Sequence, residues 1–243
     1  MPSVLSRWAC VAALAVWPAT PDQPPPALQE GIRLSGEGRH QEAVAALDRA
    51  IQTIPNLAEA HYHRGLAYRR SNQNDRALTD LSRALEIRPA FPAALLERAR
   101  LYHLATRQLD LALADYDRLL QLEPNMAPAW SSRAQCYVEL QRWQKVLADA
   151  NEALRLDPRL APAYYARAQA FAALDLHQVA IRDYTELLRL RPNHAAGYTG
   201  RAASHRALGE LREALHDVLE ALERQPDYGP AVTLRDQLLV SSK

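Results

Sequence analysis

Six prolines, Pro55, Pro89, Pro124, Pro158, Pro192 and Pro226, stand 34, 35, 34, 34 and 34 residues apart. A fixed period of this length means copies of one small unit that stack on their neighbours, because a unit so short cannot bury its apolar face alone. Aligning the copies on their prolines places Gly31, Gly65, Ala99, Ala134, Ala168 and Ala202 in one column. Leu34, Tyr68, Tyr102, Tyr137, Phe171 and His205 follow three residues later. A second small-residue column holds Ala43, Ala77, Ala112, Ala180 and Ala214, with Val146 the exception. Leu47, Leu81, Tyr116, Tyr184 and Val218 lie four residues beyond it. The pattern predicts two helices per unit. The small residue of the first lets the second approach, the aromatic fills the space beside it, and proline ends the second because it cannot donate the next hydrogen bond.

These columns resemble the tetratricopeptide repeat, whose signature is Trp-x2-Leu-Gly-x2-Tyr, then Ala-x3-Phe, then Pro. The clearest copies are His61-Tyr62-His63-Arg64-Gly65-Leu66-Ala67-Tyr68 through Pro89, and Trp130-Ser131-Ser132-Arg133-Ala134-Gln135-Cys136-Tyr137 through Pro158. The resemblance implies an all-α helix-turn-helix solenoid, a right-handed superhelix, with repeats at 24–57, 58–91, 92–126, 127–160, 161–194 and 195–228. The third carries one extra residue near Thr106 to Asp110, and the first opens on Pro24-Pro25-Pro26 instead of a full helical turn. After Gly229-Pro230, the spacing of Leu234, Leu238 and Leu239 predicts a capping helix within 229–243.

A second regularity lies inside the repeats. Arg64, Arg98, Arg133, Arg167 and Arg201 each precede the Gly/Ala column, and Asp80, Asp115, Asp149, Asp183 and Asp217 stand in the second helices of the same repeats. The first repeat lacks both, carrying Glu30 and Ala46. Joint presence and joint absence predict that each Arg meets an Asp, either within its own repeat or across a boundary. Of 29 cations only Lys145 and Lys243 are lysine, and a forked guanidinium suits such a half-buried pair where an ammonium would not. The expected role is a structural ion-pair ladder; an Arg row that touches a ligand is the competing reading.

The N-terminus stands apart. Residues 8–19 are almost unbroken in apolar character after a single cation, Arg7, and 20–26 is a proline-rich linker. Residues 1–19 therefore resemble a bacterial signal peptide, with Ala13-Leu14-Ala15 the best small-x-small match, although Trp17 spoils a cut after Ala19. The apolar run is well short of the ~20 residues that span a bilayer, so the membrane would be met only transiently through the leader. The expected location is the periplasm or the exterior if the leader is a signal, and otherwise the cytoplasm.

Chemistry has little support. Twenty-nine basic against 28 acidic residues exclude a strong general pull on nucleic acid. Cys10 and Cys136 cannot form a disulfide framework or a metal cage, His61 and His63 point to different sides of a helix, and no glycine-rich phosphate loop or nucleophile elbow occurs. The expectation is no catalytic residues, no metal, no cofactor and no small-molecule substrate.

What remains is surface. The resemblance implies that the first helices line a concave groove, which at the family's groove positions would present Tyr62, Leu66, Arg69, Arg70, Leu96, Arg100, His103, Gln135, Tyr165 and Gln169. Aromatic, aliphatic and Arg side chains are what interface hot spots favour. The expected function is a non-enzymatic adaptor holding a protein or peptide in the groove, centred on repeats two to four. The alternative is an accessory subunit of an envelope or enzyme assembly docked by its outer face. The Lys and Asn clamp of chaperone-binding relatives is absent, its positions carrying Leu28 and Ile32, Tyr62 and Leu66, or Ser131 and Gln135.

Overall fold

A computed structural model describes residues 24–241. The expected signal peptide at 1–19 and the first part of the linker lie outside the described residues. Thirteen helices run through this span, with no strand among the described residues. Six pairs succeed one another: α1 (Pro26–Gly36) with α2 (His40–Thr53), α3 (Ala58–Arg70) with α4 (Asn74–Ile87), α5 (Pro92–Leu104) with α6 (Leu109–Leu122), α7 (Ala127–Glu139) with α8 (Trp143–Leu156), α9 (Ala161–Ala173) with α10 (His177–Leu190), and α11 (Ala195–Ala207) with α12 (Leu211–Arg224). The last helix is α13 (Gly229–Ser241). None is long and apolar enough to cross a membrane.

Each second helix stops as its proline dictates. The residue before proline (Ile54, Arg88, Glu123, Asp157, Arg191 or Gln225) has φ between −144 and −128° and ψ between 71 and 97°, the extended region into which a following pyrrolidine ring forces it. Its own N–H still reaches back four residues, as from Ile54 to Ala50 or Asp157 to Ala153, and the next residue has no N–H to offer.

The turn inside each repeat is equally uniform. The residue before the second helix donates its N–H to the carbonyl of the aromatic column, five residues back: Gln73 to Tyr68, Arg142 to Tyr137, Leu176 to Phe171. In the third repeat Gln108 donates to Tyr102, six back, at 2.8 Å. The extra residue is thus absorbed in the turn and the helices keep their register. Every such turn passes through one left-handed residue, Gly38 and Gly209 in two repeats, Asn72, Arg107, Gln141 and Asp175 in the others.

The chain forms two compact units, ending at Glu97 and beginning at Arg98, with the boundary inside α5. In the first unit α1, α2 and α3 close over Leu28, Leu34, Leu47, Ala50 and Ala60. A Cβ on Gly31 would come within 2.5 Å of the Leu47 side chain, so only glycine lets α2 approach this closely. In the second unit, Ala168 and Ala180 pack with Tyr184 and Leu187. There α7 touches α9, α9 touches α11 and α11 touches α13, whereas no comparable contact joins α8, α10 and α12. The first helices therefore crowd along the inner side of this unit and the second helices splay along its outer side.

The last helix breaks one column of the repeat. Leu234 and Leu238 bury against Ala202, Ala214 and Val218 as a first helix would. Arg235 holds the ladder position, but Asp236 replaces the small residue beside it and accepts a hydrogen bond from Arg235 Nε at 3.0 Å. A further second helix would meet a charged pair there instead of Gly or Ala.

Candidate functional site

The Arg and Asp columns meet in one repeated geometry. Each Arg pairs with the Asp of its own repeat through two parallel hydrogen bonds, Nε to Oδ2 and Nη2 to Oδ1, all between 2.7 and 2.8 Å: Arg64 with Asp80, Arg98 with Asp115, Arg133 with Asp149, Arg167 with Asp183, Arg201 with Asp217. The third nitrogen crosses the boundary. Nη1 donates to the preceding repeat, from Arg64 to Asp48 at 2.6 Å, Arg133 to Asp117 at 2.6 Å, Arg167 to Asn151 at 2.8 Å and Arg201 to Thr185 at 3.1 Å. Each Arg thus meets the column Asp of its own repeat, and Arg64, Arg133, Arg167 and Arg201 also reach an acceptor of a different column in the preceding repeat. The five aspartates are buried, and aromatic rings lie over Arg98, Arg133, Arg167 and Arg201, Arg133 being 4.7 Å from the centre of Trp130.

Burial works against the charge of Arg133, yet the hydrogen bonds and attraction of Asp149 and Asp117 hold its pKa above the ordinary value. Burial pushes the Asp149 carboxyl up, opposed by Arg133. These two directions disagree about the pair's charge, and the geometry decides for the ion pair: a protonated Asp149 would aim an O–H at a guanidinium that has no acceptor. In all five pairs Nε and Nη2 are thus committed to one buried carboxylate.

A further column went unread in the sequence. His61 Nε2, Trp130 Nε1 and the Tyr164 hydroxyl each donate to the carbonyl of the proline six residues earlier, Pro55, Pro124 and Pro158, at 3.0, 2.8 and 3.2 Å. The signal was available as a donor-bearing ring six residues after each of these prolines. His61 also has Nδ1 at 3.3 Å from Asp80 Oδ1.

The expected groove residues divide between the units. In the first, Tyr62 packs on Phe91 with centroids 4.9 Å apart, and Leu66 and Leu96 are half-buried. Arg69 pairs with Glu97 at 3.1 Å, and Arg70 donates to the Ser35 carbonyl at 2.9 Å. Both cations thus have a partner within the first unit, a carboxylate for Arg69 and a neutral carbonyl for the exposed Arg70. Nearby, burial lowers the His63 pKa.

In the second unit Arg100 is half-buried, while His103 is only 3% exposed and differs from its expected place on the groove surface. Its Nε2 lies 2.9 Å from Glu139, which also binds Arg107 at 2.8 Å. Cys136 is buried beside this cluster's helix, and burial pushes its thiol up to about 12, which makes it a packing group rather than a nucleophile.

Gln135 on α7 and Tyr165 and Gln169 on α9 lie half-buried. Gln135 and Tyr165 border a cleft of about 220 Å³ completed by Ala161, Pro162, Leu187, Arg191 and His194. The Tyr165 ring stands 4.9 Å from His194 and 6.2 Å from Tyr184, and burial raises its hydroxyl pKa. His194 caps α11 by accepting the Gly197 N–H on Nδ1 at 2.9 Å. Burial, with Arg191 nearby, lowers its pKa and keeps the ring neutral.

Comparison with known families and structures agrees with this architecture. Models described as tetratricopeptide repeat match residues 58–91 and, as two segments that together exceed half the chain, 101–161 and 165–230; one described as TPR repeat matches 37–71. Among solved structures, a tetratricopeptide repeat protein from Parabacteroides merdae is 20% identical with a TM-score of 0.73, over 89% of this chain and 85% of that one. PilW, a type IV pilus biogenesis factor, is 16% identical with a TM-score of 0.72, over 86% and 96%. YrrB, a TPR protein with an unusual peptide-binding site, is 17% identical with a TM-score of 0.66, over 79% and 98%. At these identities the likeness is one of fold.

Proposed function

The chain belongs to the tetratricopeptide repeat family, and from that premise we propose that it is a non-enzymatic scaffold that holds a peptide or protein on the inner helices of its second unit. One observation carries this reading. Gln135 on α7 and Tyr165 and Gln169 on α9 are half-buried with no side-chain hydrogen bond among the described residues, and the first two border a cleft large enough for a side chain. Polar and aromatic groups left open beside apolar surface are what a peptide would satisfy, whereas the ladder and the first unit's Arg69 and Arg70 already have their partners. By the family's groove positions Ala172, Ala173, Ala196 and Ala203 would fall on the same inner side, small enough to leave room for a backbone to pass.

Photo-crosslinking tests the placement. A photoreactive residue at Gln169 should give an adduct with the captured partner and one at Arg182, on outer helix α10, should not; the reverse pattern rejects it. A second reading, an accessory subunit docked by its outer surface, draws on the exposed Leu176, Val179, Leu208 and Leu211 at the turns of the last two repeats. Adducts formed from Val179 alone would favour it. We further propose, from residues 1–19, that the scaffold works outside the cytoplasm; N-terminal sequencing that finds Met1 or Pro2 on the mature protein rejects this.

A further inference from the structure

The inner cleft of the second unit has a chemical bias that its position alone does not explain. Its polar lining consists of Gln135, Tyr165, Arg191 and His194, with no carboxylate among the lining residues. Arg191 is exposed, and no acidic side chain pairs with it among the described residues. Arg69, by contrast, is paired with Glu97, and Arg70 and Arg224 donate to the carbonyls of Ser35 and Pro192.

His194 adds a second donor for a defined reason. Its Nδ1 is occupied as the acceptor of the Gly197 N–H, so in the neutral ring the proton sits on Nε2, whose hydrogen bond is not taken up within the fold. Apolar surface completes the cleft: Leu187, Ala161, Pro162 and the Tyr165 ring. The cleft therefore combines a guanidinium fork, an imidazole N–H and an amide over an apolar floor.

We propose that this cleft takes an acidic side chain, Asp or Glu, of an extended partner segment, with the carboxylate on Arg191 and His194 and the flanking aliphatic part on Leu187 and the Tyr165 ring. The inference rests on the reading that the inner side of the second unit holds a peptide, and it names what that peptide carries. A guanidinium binds a carboxylate through two parallel hydrogen bonds, stronger and more directional than neutral ones. The adjoining alanines let the backbone continue past the cleft, which suits an internal residue more than a chain end. Gln135, able to donate and accept at once, meets the peptide backbone, and the charge pair sets register.

The test uses the full chain and an array of short peptides, acetylated at one end and amidated at the other so that only side chains supply carboxylates. Bound peptides should be enriched in Asp or Glu beside an aliphatic residue. In fluorescence anisotropy, changing that acidic residue to its amide should weaken binding about tenfold. Arg191→Gln should weaken the acidic peptide equally and add little to the loss from the amide, while Arg191→Lys keeps part of it. Arg191 is exposed, so an unchanged melting temperature separates this loss from misfolding. If peptides bind and are lost on Tyr165→Ala but show no acidic preference, the proposal falls and the inner-side reading stands. The same peptides with free C-termini are run beside them, and binding restricted to that second set overturns the proposal in favour of chain-end capture. No binding by either set overturns both readings.

Discussion

Arg133 joins two repeats: Nε and Nη2 grip Asp149 of its own repeat at 2.7 and 2.8 Å, and Nη1 reaches Asp117 of the preceding one at 2.6 Å. The two carboxylates are not equivalent. The Asp149 side chain is 5% exposed and that of Asp117 is 50% exposed. Asp149→Ala leaves a half-buried cation without its main partner and should cost about 3 to 5 kcal/mol. Asp117→Ala removes a wet contact and should cost about 1 kcal/mol or less. Urea denaturation of the two variants checks the ratio, and equal losses would contradict the geometry. Arg133→Leu combined with Asp149→Leu should cost less than the sum of the single changes.

A glycine pair supplies a contrast in the first repeat. A Cβ on Gly31 would lie 2.5 Å from the Leu47 side chain, while one on Gly36 meets nothing within 4 Å. Gly31→Ala should destabilise by about 1 to 3 kcal/mol through overpacking. Gly36→Ala, at the end of α1, should be neutral or stabilise by about 0.5 kcal/mol through the unfolded chain. Thermal melts that moved in the same direction for both would refute the packing argument.

The period, the helix pairs and the ladder columns were legible because each repeats a local rule at one spacing: a proline that forbids the next hydrogen bond, a small residue where helices touch, a charge of one sign opposite the other. Joint absence of Arg and Asp in the first repeat was enough to pair them, though not to show that the third guanidinium nitrogen crosses to Asp48, Asp117, Asn151 or Thr185, since that column changes residue type while keeping an acceptor. The candidate site was less legible. Position on a first helix says that Arg69, Arg70 and His103 lie toward the inner side, but not that Glu97, Ser35 and Glu139 already hold them. Arg191 and His194 escaped notice because they sit in a turn between repeats, where no helical periodicity marks a face.

Two histidines make stability depend on pH. Burial is the main cause that lowers the pKa of both His63 and His194 in the folded chain. The unfolded state then binds more protons as pH falls through about 6.5, so stability should be greater at pH 8 than at pH 5. For half-buried His194, discounted for solvent screening, the effect is about 1 kcal/mol or less. His194→Asn keeps an N-cap acceptor without a titrating ring and should flatten part of the slope in urea midpoints measured at both pH values. An unchanged slope would mean that His194 does not titrate with folding.

The end of the array offers the sharpest test of nearest-neighbour stacking. Leu234 and Leu238 of α13 are 6% and 4% exposed, and they cover Val218, Ala214 and Ala202 of the last repeat, whereas Leu239 is 48% exposed. Truncating a buried Leu to Ala typically costs about 2 to 5 kcal/mol, the more so where the surroundings cannot collapse into the space. In a stacked array this loss falls on the adjoining repeat, because each unit draws its stability from its neighbours. Leu234→Ala with Leu238→Ala should therefore speed amide hydrogen exchange in α11 and α12 while leaving α7 and α8 close to the native rate. Leu239→Ser should change neither. Uniform acceleration from α7 to α12 would mean that the second unit opens as one cooperative block instead of fraying from its cap.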